Sequence, residues 1–271
     1  MSKTTLQSSF PKIMGILNAT PDSFSDGNNL NVNELVDKSL NMINQGADII
    51  DIGGESTRPG ADKVDVTNEI NRVIPVLKAL KREQNNALVS IDTSKVEVAQ
   101  KALEEGADMI NDVTGARDDE MVSLIGKNNC FYVCMHMQGN PDNMQENPSY
   151  NNVNREIIEY LSDKKEVLMD AGLAPEKLIW DPGIGFGKTL ENNLSILSSL
   201  ESYTKEHSTL LGVSRKSYIH KLCQNAEDSS KRLAGSLAPL AKAYDTGVEY
   251  LRVHDVYETK QFLVTYSNIT K

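Results

Sequence analysis

Four apolar runs in this chain end on polar side chains suited to an anionic, nitrogen-rich ligand. They are Asp48-Ile49-Ile50-Asp51-Ile52-Gly53-Gly54-Glu55, Ser90-Ile91-Asp92-Thr93, Met109-Ile110-Asn111-Asp112 and Ile179-Trp180-Asp181-Pro182-Gly183. Two later segments add cations. One is Gly212-Val213-Ser214-Arg215-Lys216-Ser217; the other is Arg252-Val253-His254, whose alternation points Arg252 and His254 to one face. Carboxylates and an amide suit the nitrogen-rich part of such a ligand, and arginine, lysine and histidine suit phosphate or pyrophosphate. Any phosphate site must be built locally, because the chain carries a net charge of −10. That charge favours neither nucleic acid nor an anionic membrane.

Three loops extend this chemistry. Asn18-Ala19-Thr20-Pro21-Asp22-Ser23-Phe24-Ser25-Asp26-Gly27 is polar and turn-rich around one aromatic residue. Gly53-Gly54-Glu55-Ser56-Thr57-Arg58-Pro59-Gly60 joins glycines, hydroxyls and an arginine. Glycines let backbone N–H groups approach an anion, and Arg58 can bind phosphate bidentately. Taken alone, each loop also reads as an ordinary solvated turn. Asp181-Pro182-Gly183-Ile184-Gly185-Phe186-Gly187-Lys188 has glycines like a dinucleotide fingerprint, but the spacing is wrong. Lys188 does not complete a P-loop either, since G-x-x-x-x-G-K-[ST] is absent.

Such groups need elements that deliver them. Strand patterns at 13–17, 48–52, 88–91, 108–111, 131–135, 178–180, 210–213 and 250–253 alternate with helical ones. The helical patterns lie near 33–45, 67–82, 94–105, 118–127, 151–171, 190–200, 229–246 and 257–268. This alternation predicts the α/β class with a parallel sheet, and eight strands are the number that closes a (β/α)8 TIM barrel. An open doubly wound sheet is the alternative. In either, polar residues at the carboxyl ends of strands sit where ligands bind. Gly46 to Asp51, Gly106 to Asn111 and Gly247 to Arg252 repeat one scheme, in which a helix-ending glycine precedes a strand that delivers a polar group. Ser94-Lys95-Val96-Glu97 reads as a capping box, Thr67 as an N-cap, and Pro75 and Pro239 as kinks or breaks.

Composition agrees with a soluble enzyme: 39% hydrophobic and 24% charged residues over 271 positions. No linker or composition shift divides the chain, so residues 1–271 read as one domain. The amino terminus lacks a signal-peptide apolar region, and no stretch approaches the apolar length of a membrane span. Cys130, Cys134 and Cys223 form no disulfide framework, and the first two read as small buried hydrophobes of a cytoplasmic protein.

The segment Met14-Gly15-Ile16-Leu17-Asn18-Ala19-Thr20-Pro21-Asp22-Ser23-Phe24-Ser25-Asp26-Gly27 joins Asp51 to Gly60, Asp181 to Lys188, Ser214 to Ser217 and Arg252 to His254 in one joint pattern. Through it the chain resembles the dihydropteroate synthases, the folate-pathway family of pterin-binding barrels, over residues 13–255. Ala19 stands where that family usually has valine, and Asn28 replaces a second glycine. Neither change removes a reactive group.

The resemblance implies that 6-hydroxymethyl-7,8-dihydropterin pyrophosphate and p-aminobenzoate condense to 7,8-dihydropteroate and pyrophosphate. It assigns Asp92, Asn111, Asp181 and Lys216 to the pterin, with apolar cover from Met135 and Phe186. Asn18, Thr57, Arg58, Arg252 and His254 would hold pyrophosphate, with Mg2+ between Asn18 and phosphate oxygens. Asp51 would orient neighbouring groups, and Ser217, Pro21 and Phe24 would border the p-aminobenzoate pocket. Arg58, Lys216, Arg252 and His254, with Asp26 in an uncertain part, would carry catalysis. The family also implies a cytoplasmic homodimer. Mobile loops after the first two strands would close over the pterin substrate before p-aminobenzoate binds. On this reading Arg252→Ala weakens pyrophosphate and leaves phosphate-free pterin nearly unchanged. Two rivals share the barrel: a pterin-to-corrinoid methyltransferase, which needs no pyrophosphate site, and a catalytically silent pterin-binding paralogue.

Overall fold

The computed structural model describes residues 10–20, 24–25, 29–56, 63–205, 207–224 and 226–270. Its strands are β1 (Lys12–Asn18), β2 (Ile49–Gly53), β3 (Leu88–Asp92), β4 (Met109–Asp112), β5 (Phe131–Met135), β6 (Leu178–Asp181), β7 (Ser208–Leu211) and β8 (Tyr250–Val253). All pair in parallel, and β1 closes on β8 through Met14 opposite Arg252. The closed barrel replaces the open-sheet alternative. Around it run α1 (Val32–Asn44), α2 (Val66–Glu83), α3 (Val96–Glu104), α4 (Asp119–Asn128), α5 (Val153–Asp170), α6 (Leu190–Ser198), α7 (Leu233–Asp245) and α8 (Val256–Ile269).

Strand alternation builds two cores from one sheet. Met14, Ile49, Met109, Val133, Ile179, Leu210 and Tyr250 point inward and form an apolar plug. Their neighbours Ile13, Ile50, Ile110, Tyr132, Leu178, Leu211 and Leu251 belong to the larger core under the helices. This double burial is why the strands read as continuous apolar runs. Each buried aliphatic side chain contributes roughly 1.5–3 kcal/mol, so the plug closes the barrel floor. Two residues further along β2 and β4 the inward positions become Asp51 and Asn111, both buried. That switch from apolar to polar is the base of the site.

Several local expectations change. The cap of α2 is Asp65, whose side chain accepts from Asn68 N at 2.8 Å, and not Thr67. Ser94 does not cap α3; the helix starts after Lys95, whose ammonium is held between Glu55 and Glu69. The capping box that does form is Thr189 with Asn192 at α6. Pro75 and Pro239 lie inside unbroken helices. Pro75 and Asn71, four residues back, are both exposed, so the helix carries its proline on the solvent side. The loop after β1 carries a short antiparallel pair, Phe24–Ser25 with Asn29–Leu30, where no internal stiffening is evident from sequence. The mobility and order of closure expected of the loops after β1 and β2 fall on residues 21–23, 26–28 and 57–62, outside the described residues.

All three cysteines are free, with Cys130 and Cys134 buried. Burial pushes the Cys130 thiol up to about 11, which leaves it a packed hydrophobe. Among the described residues no helix is long and apolar enough to cross a membrane.

Candidate active site

A cavity of about 1250 Å³ opens at the carboxyl ends of the strands, and Asn18, Asp92, Phe186, Lys216, Arg252 and His254 all line it. Its floor is an ionic bridge. Arg252 donates through Nε to Asp51 Oδ2 at 2.6 Å and through Nη2 to Asp92 Oδ2 at 2.5 Å. Asn111 Nδ2 donates to the same Asp51 oxygen at 3.1 Å. β2, β3, β4 and β8 thus each deliver one member, and Asp51 orients two of the others from beneath. Two carboxylates share one guanidinium, so the floor carries excess negative charge. Burial pushes the Asp92 carboxyl up to about 7; Arg252 pulls it down and Asp51 pushes it up again. Burial opposes the charge on Arg252, but Asp51 and Asp92 hold its pKa above the ordinary value.

The second wall comes from β5, β6 and the segment after β7. Asp181 Oδ1 accepts from Gly183 N at 2.7 Å. Burial raises the Asp181 carboxyl, against the Gly183 N–H and the Lys216 charge, which lower it. Lys216 donates to Ile184 O at 2.7 Å, and its ammonium stands 4.1 Å from the Phe186 ring centroid. Burial lowers Lys216 to about 8, with Asp181 acting in opposition. Met135 packs with Val113, Met137, Met144 and Phe186 into an apolar face beside these groups. A flat ring could lie against that face with its polar edge on Asp92, Asn111 and Asp181.

The turn after Asp181 tolerates only glycine at one position. Gly183 has φ +69°, and a Cβ there would meet His136 O at 1.9 Å. Gly183→Ala is expected to lose about 3 kcal/mol or more of stability. A denaturant midpoint equal to that of the parent protein would show that the turn can shift.

At the outer rim, His254 N and Nδ1 lie 3.2 and 3.0 Å from Ser214 Oγ. Ser217 opens the short helix Ser217–Leu222 and lines the cavity. Asn18 is exposed at the end of β1. Pro21, Asp26, Thr57 and Arg58 lie outside the described residues, as does the Phe24 side chain. Met144 and Arg232 are contributors that sequence reasoning does not single out, and Arg215 is given no role by it. Met144 reaches the cavity from the long segment between β5 and α5. Arg232 lines it while donating to Ala226 O and Arg215 O. Arg215, at φ +59°, pairs with Asp255 at 2.5 Å. Only the Arg215 position had a local signal, the Ser214-Arg215-Lys216-Ser217 cluster.

Comparison gives this (β/α)8 barrel its class: the family model for pterin binding enzymes matches residues 14–254. The dihydropteroate synthase of Escherichia coli strain K12 is 45% identical over 260 residues, covering 94% of this chain and 90% of that one. The Yersinia pestis dihydropteroate synthase, solved with a sulfonamide drug complex, superposes with a TM-score of 0.90 at 38% identity, covering 98% and 97% of the two chains. The Xanthomonas albilineans enzyme, solved with 4-aminobenzoic acid, gives 0.88 at 38% identity, covering 96% and 93%. The chain belongs to the dihydropteroate synthase family, transferases of folate biosynthesis.

Proposed function

We propose that this cavity joins 6-hydroxymethyl-7,8-dihydropterin pyrophosphate to p-aminobenzoate, releasing pyrophosphate and 7,8-dihydropteroate. The observation that carries the reading is the floor itself: Asp92 lines one cavity with Lys216, Arg252 and His254, Asn111 joins that floor through the Asp51 oxygen it shares with Arg252, and Asp181 lies within the field of Lys216. Asp92, Asn111 and Asp181 match the donor–acceptor edge of a pterin. Met135 and Phe186 cover its face. Lys216 donates to the pterin, and Arg252 and His254, with Thr57 and Arg58 by resemblance, take the pyrophosphate. Ser217, Pro21 and Phe24 border the arylamine.

No nucleophilic side chain is needed. Breaking the bond from the pterin methylene to pyrophosphate leaves a cation that the electron-rich dihydropterin ring stabilises, and the arylamine nitrogen then attacks it. Negative charge collects on the departing oxygens, where Arg252 and His254 stabilise it electrostatically. The apolar face of Met135, Met137, Met144 and Phe186 keeps water from the methylene cation.

Mg2+ belongs to this proposal. Among the described residues no three His, Cys, Asp or Glu side chains gather to hold a metal. Asn18 offers one oxygen at the cavity wall. Mg2+ keeps waters and substrate phosphates around one or two protein oxygens, so this donor set fits an ion held chiefly by pyrophosphate. What it supplies when bound is neutralisation of the leaving group. A cytoplasmic homodimer is proposed on the resemblance alone.

The titrations set a pH window. Asp92 must be ionised to accept pterin N–H groups, and it gains its proton below about 7. Lys216 must be charged to donate, and it loses its proton above about 8. Affinity for phosphate-free pterin is expected to peak between these values and to fall on both sides, by about tenfold per pH unit well beyond either. A flat calorimetric profile from pH 5 to 9.5 counts against both assignments.

Incubating the purified protein with the pterin pyrophosphate, p-aminobenzoate and Mg2+ tests the whole reading. Dihydropteroate and pyrophosphate should form in equal amounts. Pterin binding without turnover would favour a silent paralogue, and binding of a methylated folate with no pyrophosphate site would favour methyl transfer.

A further inference from the structure

A buried cation stands behind the site and takes no part in the reaction outlined above. Lys188 is 2% exposed. Its ammonium meets three neutral acceptors: Phe186 O at 2.9 Å, His136 O at 3.2 Å and His136 Nδ1 at 3.1 Å. Burial, with Lys188 and Arg117 adding to it, pushes His136 down to about 2, so this imidazole is neutral and accepts.

The three acceptors belong to two loops. His136 follows β5 directly, and its N–H donates to Asp181 O at 2.9 Å. Phe186 lies on the turn after β6. The loops pack backbone against backbone, since a Cβ on Gly187 would meet Gln138 O at 2.5 Å. A Cβ on Gly183 would stand 3.3 Å from Lys188 Nζ. The ammonium therefore lies under the turn whose N–H holds Asp181 Oδ1.

Stability alone does not account for a charge there. A buried cation facing only neutral groups is unfavourable, and an apolar side chain of similar length would fill the space without that penalty. What an apolar side chain lacks is a field. Burial lowers Lys188 to about 7, and Asp181 opposes that shift. Reciprocally, Lys188 joins Lys216, Arg252 and the Gly183 N–H in holding the Asp181 carboxyl down against burial. Lys216 approaches from the segment after β7 and Arg252 from β8. Lys188 alone among these cations acts from behind the turn, away from the ligand.

We propose that Lys188 is a positioning residue for pterin recognition, tying the His136 and Phe186 loops together and keeping Asp181 an ionised acceptor. This rests on the assignment of the pterin to the cavity. Below neutral pH Lys188 is charged, so its influence is present on the acidic side of the binding profile.

The test uses Lys188→Met and Lys188→Gln. Affinity for phosphate-free 6-hydroxymethyl-7,8-dihydropterin is measured by calorimetry across pH, with thermal melts of each protein. Both variants are expected to bind about tenfold more weakly at pH 7. The acidic limb reports Asp92 and Asp181 together, and in both variants it moves to higher pH, because the charge that favoured the Asp181 carboxylate is gone. The main influences on Asp92 are burial, Arg252, Asp51, Glu69 and Asp112 and not Lys188, so a displaced limb reports Asp181. Lys188→Gln keeps an amide donor for the loop carbonyls and should melt above Lys188→Met, yet show the same displaced limb. It also carries the test if the Met variant does not fold. An unmoved limb in either variant, with or without weaker binding, overturns the proposal and leaves Lys188 a structural brace. A parent protein that binds no pterin overturns the functional reading and this inference with it.

Discussion

Arg252→Ala is expected to lower turnover of the pterin pyrophosphate by at least about a hundredfold and to weaken phosphate-free pterin as well. From sequence alone the second effect is not expected, since Arg252 reads simply as a phosphate ligand after the eighth strand. The structure gives it another task. One guanidinium bonds both Asp51 and Asp92, two buried carboxylates on adjacent strands that are otherwise left without a counter-charge there. Removing one partner of a buried ion pair costs about 3–5 kcal/mol. Part of that falls on stability and part on the ligand. Without Arg252 the Asp92 carboxyl loses the charge that pulls it down, so it rises further and is protonated at neutral pH. A protonated Asp92 meets the pterin's N–H groups with a proton of its own. Lys216 simultaneously loses a cationic neighbour that lowers it, so it keeps its charge to higher pH. The whole pterin-binding profile should therefore move to higher pH, with partial recovery above pH 8. Calorimetry with pyrophosphate, with phosphate-free pterin and with pterin pyrophosphate separates the effects. An unchanged pH profile for phosphate-free pterin would mean the bridge has no bearing on recognition.

The barrel was legible because every strand buries both faces. Ile49-Ile50-Asp51-Ile52 reads as an apolar run broken by one carboxylate, and that break marks where the plug ends and the site begins. The same logic places Asp92, Asn111, Asp181 and Arg252 at strand ends. What was not legible is how these groups pair. The Arg252–Asp51 and Arg252–Asp92 bonds join residues 201 and 160 positions apart, and no local spacing encodes them. Lys188 reads from its spacing only as a residue that fails to complete a P-loop, since spacing says nothing of burial. Met144 and Arg232 reach the cavity through long-range packing. Helix starts failed for a simpler reason. Asp65 and Thr67 are both good caps two residues apart, and Ser94 competes with a lysine whose ion pairs decide where α3 begins.

Asp181→Asn changes almost no volume, and it is expected to weaken phosphate-free pterin by about ten- to a hundredfold. The local geometry explains why so small a change is so damaging. Oδ1 of Asp181 accepts from Gly183 N at 2.7 Å. An asparagine must keep its carbonyl oxygen on that N–H, because the reverse orientation sets two donors against each other in a buried turn. Its amide NH2 then occupies the position of Oδ2 and faces the pterin's own N–H groups. A buried donor–donor mismatch costs on the order of 1–3 kcal/mol. The charge matters too. The Asp181 carboxylate raises both Lys216 and Lys188 against burial, so without it both ammonium groups fall further. The alkaline limb of pterin binding should move to lower pH as Lys216 loses its proton sooner. Thermal stability is expected to fall only modestly: Lys216 and Lys188 lose a compensating charge, but the shape and the bond to Gly183 N are kept. That divergence, a folded protein that no longer binds, distinguishes lost recognition from lost structure. Parent-like affinity and an unmoved alkaline limb in the Asn variant would remove Asp181 from the pterin site.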